Sequence, residues 1–133
     1  SGPERFLETY FVLEALLRVL GGAPDVRPAE AVGRLVAQIH TLRRMSVSVA
    51  GMLEQGQSPV LEASIVKDMA TLWEQALPAR ARDIAAFSAG GSEAALRFEE
   101  ALEYATLIAP KLTIQGGTTE ILRGIIARGL GLR

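Results

Sequence analysis

The sequence predicts an all-α chain: an up-and-down four-helix bundle with a fifth, C-terminal helix laid against it. Three observations lead there. Apolar residues recur every three or four positions along most of the chain, no segment alternates apolar and polar residues as a half-buried strand does, and Gly, Pro and Ser clusters punctuate the pattern at helix-length intervals. The links are short, which makes consecutive helices antiparallel neighbours. No internal repeat or sustained heptad seam suggests a solenoid or coiled coil.

In the first helix, ERFLETYFVLEALLRVL, Phe6, Tyr10, Leu13, Leu17 and Leu20 form one stripe, and Gly21-Gly22 supplies a left-handed stop. After APDVRP, the second runs from Pro28 to Gln55 on Val32, Leu35, Val36, Ile39, Leu42, Met45, Val49, Met52 and Leu53. GQSP restarts the chain, with Ser58 placed to cap and Pro59 at the first position of a third helix reaching Phe87. Its stripe is Val60, Ile65, Met69, Leu72, Trp73 and Leu77, and Pro78 inside it predicts a kink or break near Ala76. SAGGS ends it, Ser92 caps a fourth helix to Leu107 or Ile108, Pro110 closes that one, and a fifth spans Thr119 to Leu130.

With 133 residues the chain fits one domain able to bury a core without staples. Ser1-Gly2-Pro3 resembles the scar of a removed expression tag, which assigns the bundle to residues 4–133. There is no cysteine and one histidine, His40, so disulfides, thiol catalysis and a Cys/His metal centre are excluded, and no metal is expected. Lys plus Arg (14) balance Asp plus Glu (15), so nothing pulls the chain toward nucleic acid. The apolar runs are too short and interrupted to span a bilayer, and the expectation is a soluble, cytoplasmic protein. His40, Trp73, Tyr104, Arg43-Arg44, Arg80 and Arg82 read most simply as packing or solvated-face residues.

The tail TIQGGTTEILRGIIARGLG carries the most information. Thr118 is a good N-cap because its hydroxyl can accept an orphan N–H, and Glu120 puts a carboxylate in the first turn where the helix dipole favours it. Gly116 and Gly117 allow a close backbone approach to a ligand ahead of a helix start. A simple loop is the competing reading of the same residues.

This tail resembles the C-terminal signature of the acyl-CoA dehydrogenases, T-I-Y-E-G-T-[ST]-[EQ]-I-x-R-x-I-[IV]-A-R-x-L-L-G. It matches at Thr113, Ile114, Gly117 to Ile121, Arg123, Ile125 to Arg128 and Leu130. The resemblance extends to SPVLEASIVKDMA, with Lys67 on a similar helix, and covers most of the chain from Pro28. It implies the helical C-terminal domain of an FAD-dependent enzyme that dehydrogenates acyl-CoA thioesters in fatty acid metabolism. A glutamate takes the proton beside the thioester while hydride passes to the flavin. It further implies cofactor contacts from Gly90, Gly91, Thr118, Thr119 and Glu120, a substrate contact from Gly117, and a homo- or hetero-oligomer formed through the long helices. The electron-transfer partner is not indicated. The N-terminal helical and middle β domains of such enzymes are not in this chain, so alone it is expected to be inert.

Three departures from the family pattern stand out. The usual catalytic glutamate position is Gly116, which has no side chain, and the family's alternative, a Glu-Arg pair on the first helix of this domain, finds a counterpart in Glu4-Arg5. Phe87-Ser88-Ala89-Gly90-Gly91 replaces the flavin-contacting Gln-x-x-Gly-Gly, and GGAPDVRP replaces Arg-Gln-x-Phe-Gly. Three readings therefore stand open: part of an active dehydrogenase with Glu4 as base, a non-catalytic subunit of a heteromeric dehydrogenase, or a flavin-free helical interaction module.

Overall fold

The computed structural model describes residues 8–88 and 90–132. Among them the chain forms five helices and no strand: α1 (Tyr10–Leu20), α2 (Val26–Glu54), α3 (Val60–Ala85), α4 (Glu93–Ile114) and α5 (Thr119–Gly129). The all-α architecture read from the sequence is the one observed. α3 is its hub, packing against each of the other four helices, while α1 also lies along α4. α2 has its principal partner in α3 and adds Leu35 and Leu42 to the common core, which gathers Val12, Leu13 and Leu16 of α1, Trp73 and Leu77 of α3, and Phe98 and Leu102 of α4.

The buried faces are not all the expected stripes. In α1 the inner face is Val12, Leu13 and Leu16, while Tyr10 and Leu17 are exposed. Tyr10 and Leu17 belong to the same three-four spacing, but α1 is rolled by about one residue toward α4 and α3. In α3, Val60, Met69 and Leu72 of the expected stripe are exposed, and Ser64, Ala70, Thr71, Glu74 and Ala81 are buried. A helix touched on several sides buries small and polar residues where neighbouring backbones come close, so its buried set is wider than one apolar stripe.

Both internal prolines lie within helices. α3 runs unbroken through Pro78, where a break near Ala76 was expected, and α4 continues past Pro110 to Ile114. Proline in a helix interior costs about 3 kcal/mol, and tertiary contacts hold both segments. Pro78 is itself buried between Leu77 and Ala81 in the hub helix. Beyond Pro110, Leu112 is buried, and the Gln75 amide donates to the Thr113 hydroxyl and to the Ala109 carbonyl at 3.5 Å. The caps follow the sequence in part. Ser92 accepts from Ala95 N at 3.1 Å, but α3 begins with Pro59 at its N-cap and no side-chain cap from Ser58.

Candidate functional site

The four residues between α4 and α5, Gln115 to Thr118, form a tight reversal whose shape is set by two consecutive glycines, Gly116 at φ 75° and Gly117 at φ 110°. An L-residue avoids this region, so both glycines are needed for conformation. A Cβ built on Gly117 would meet neighbours only at ordinary contact distance, the nearest being Lys67 Nζ at 3.8 Å. The reversal is thus not a close-packed spot.

α3 grips the reversal with adjacent charged residues. Lys67 Nζ donates to the Gly117 carbonyl at 2.7 Å, and Asp68 pairs with Arg123 of α5 at 3.6 Å. Leu122 is buried beneath the start of α5, and Gly129 brings the far end of that helix onto Leu61 of α3, where an added Cβ would stand 2.8 Å from a methyl. One turn or two along α3, Gln75 holds the last turn of α4. The first described residues arrive at the same end of the bundle: Lys111 of α4 reaches Glu8 at 3.5 Å, and the Thr9 hydroxyl donates to the buried Glu74 at 3.3 Å.

At the start of α5, Thr118 accepts from Ile121 N at 3.5 Å. Hydrogen bonds from its own backbone N–H and then from the Thr118 hydroxyl, with the charge of Arg123, hold the Glu120 carboxyl below the ordinary 4.5. The anion-favouring end of the helix therefore already carries a carboxylate of the chain itself.

Of the residues picked out in the sequence, Gly117 and Thr118 lie in this reversal, and Thr119 and Glu120 form the first turn of α5 directly after it. Gly90 and Gly91 are elsewhere. They lie in the α3–α4 connection, both exposed, at the opposite end of the 22-residue α4, which at ~1.5 Å per residue is about 33 Å long. Glu4 lies outside the described residues. Lys67 was visible in the sequence only as part of a matching segment. Asp68 and Gln75 were missed, because a polar residue on a helix gives no local sign that it reaches a segment far along the chain.

Gly116 cannot take a proton, and the Glu120 carboxyl is held below its ordinary range by the hydrogen bonds it accepts. A general base needs raised proton affinity. Among the described residues there is no cluster of three or more His, Cys, Asp or Glu fit for a metal, and no helix is long and apolar enough to cross a membrane.

In comparison with known families, residues 16–131 match the family model of the acyl-CoA dehydrogenase C-terminal domain. No curated protein and no solved structure matches the chain.

Proposed function

Because the chain belongs to the acyl-CoA dehydrogenase C-terminal domain family, we propose that it serves as the helical C-terminal domain of a flavin-dependent acyl-CoA dehydrogenase, supplying cofactor and substrate contacts and an oligomer interface. The observation that carries this reading is the reversal at Gly116-Gly117, gripped by Lys67 and followed by a capped helix inside a family match spanning nearly the whole chain. FAD, when bound, supplies the hydride acceptor. The residues present fit one part of it better than another. Gly117, Gly90 and Gly91 expose backbone without side chains, which suits close contact with a ring edge or ribose. The Glu120 carboxylate at the start of α5 disfavours a pyrophosphate there.

The separation of the two glycine loops supports an assembly. Loops about 33 Å apart by the rise of α4 cannot both hold the same end of one cofactor, whereas two copies placed head to tail would bring one chain's reversal toward the other's α3–α4 loop. The substrate is an acyl-CoA thioester. Glu4 remains the candidate base, supported by Glu8 and Thr9 joining the bundle at the end that carries the reversal.

A non-catalytic subunit of a heteromeric dehydrogenase is the second reading, favoured by Gly116 at the usual base position. The test is expression of the full native gene product, with flavin absorbance, FAD stoichiometry and acyl-CoA dehydrogenation measured for it and for Glu4→Gln. Flavin bound with activity lost in Glu4→Gln supports the first reading. Flavin or partner binding without activity supports the second. A product that binds neither FAD nor a dehydrogenase partner would sink both and leave the helical interaction module. The 133-residue chain alone should be colourless and inactive.

A further inference from the structure

We infer, resting on the Glu4 reading above, that Glu74 is a positioning residue: through the Thr9 hydroxyl it fixes the point at which the chain enters α1, and with it the reach of Glu4 toward the α4–α5 reversal. Thr9 stands at the N-cap of α1, where a threonine hydroxyl ordinarily accepts a backbone N–H of the first turn. Ser92 and Thr118 do this for α4 and α5, but Thr9 makes no such cap. Its hydroxyl instead donates to Glu74 Oε1 at 3.3 Å, and both residues are buried, Thr9 at 0 % and Glu74 at 2 % exposure. Neither choice is the one local stability favours. An uncapped helix start forgoes a hydrogen bond, and a carboxylate is costlier to take out of water than an apolar side chain of its size. What the pair provides is a fixed attachment between residue 9 and the hub helix.

α3 thereby sets two parts of the proposed site against each other. Lys67 holds the Gly117 carbonyl, and Glu74 holds Thr9. These two α3 residues are seven apart in sequence, so they share a face of the helix and stand about 10 Å apart along its axis. Glu4 precedes Thr9 by five residues, a span of at most about 17 Å. A base that must approach the reversal therefore has its range set by where Thr9 is held. The neighbouring Glu8–Lys111 pair is the weaker tether, since at 3.5 Å and with Lys111 58 % exposed it is screened by solvent.

The experiment uses the full native gene product and measures kcat, KM, FAD content and far-ultraviolet circular dichroism for Thr9→Val, Thr9→Ser, Glu74→Met, Glu4→Gln and the double variant Glu4→Gln with Thr9→Val. Valine keeps the shape of Thr9 and deletes its hydroxyl, serine keeps the hydroxyl, and methionine removes the acceptor at similar volume. The expected result is a kcat lowered about tenfold or more in Thr9→Val and Glu74→Met, with KM, FAD content and helicity nearly unchanged, because a small misplacement of a reacting group is felt in the chemical step. Thr9→Ser should recover most of that loss. In the Glu4→Gln background Thr9→Val should cost nothing further, since a residue that acts through Glu4 has no effect once Glu4 is gone. Full kcat in Thr9→Val or Glu74→Met, an undiminished penalty in the Glu4→Gln background, no rescue by serine, or loss of FAD and helicity along with kcat would each overturn the inference and leave the Glu4 reading standing. A fully active Glu4→Gln, or an inactive native product, would overturn both.

Discussion

Gly117 shows how a single residue sets the local conformation. Its φ of 110° is open to glycine and costly to a β-branched residue, while nothing crowds the space a Cβ would take. Gly117→Val should therefore destabilise the chain by roughly 1–2 kcal/mol through backbone strain, read as a lower melting temperature even with no ligand present. An unchanged melting temperature would show that the reversal relaxes freely. Glu120 provides a second test. Its folded pKa is depressed, so its contribution to stability is fully present above its unfolded value near 4.5 and fades as pH falls through the lower folded value. Glu120→Gln should therefore lower stability slightly at neutral pH, where the contribution is present, and leave it unchanged well below pH ~4.5, so that the acid limb flattens. A variant equally destabilised at both ends would place its role elsewhere.

At the scale of elements, α5 is held by contacts of unequal weight. Lys67 donates a charge-assisted 2.7 Å hydrogen bond to a carbonyl in a part-buried setting, whereas Arg123 is 60 % exposed opposite Asp68 at 3.6 Å. Removing the first should cost about 1.5–3 kcal/mol, the second less than about 1 kcal/mol after screening by solvent. Lys67→Met should thus raise amide exchange across the start of α5 far more than Arg123→Ala. The reverse order would mean that the ion pair anchors the helix. The same logic explains α4, whose last turn outlasts Pro110 because Leu112 and the Gln75 contacts lie beyond it.

The whole molecule leaves one long element thinly covered. α2 buries only Leu35, Leu42 and Ser46 of its 29 residues, and Val36, Val47 and Leu53 face outward. The proposed assembly assigns these residues to its interface. A dimer or tetramer through the long helices, as proposed above, would cover them and would bring the glycine loops of two copies together. Sedimentation at micromolar concentration should show a concentration-dependent oligomer, shifted to monomer by Val47→Glu with Leu53→Glu. A monomer at every concentration would count against the interface.

By itself the sequence determined the helix order, the loop positions, the family and the capped start of α5. These are local properties: periodicity, the φ preference of glycine, the capping hydroxyls of Ser92 and Thr118, and a contiguous signature. Only the tertiary structure decided that α3 is the hub, that Pro78 and Pro110 are carried through their helices, and that Glu74 is buried against Thr9. It also decided that Lys67 holds the reversal 50 residues on, that Asp68 pairs with α5, and that the two glycine loops lie at opposite ends of α4. The physical reason is the same throughout. Helix propensity and stripe direction are set within a few residues of chain, but which faces meet is set by the packing of several helices at once, and the energy of that packing can exceed the roughly 3 kcal/mol that a local rule such as proline exclusion represents.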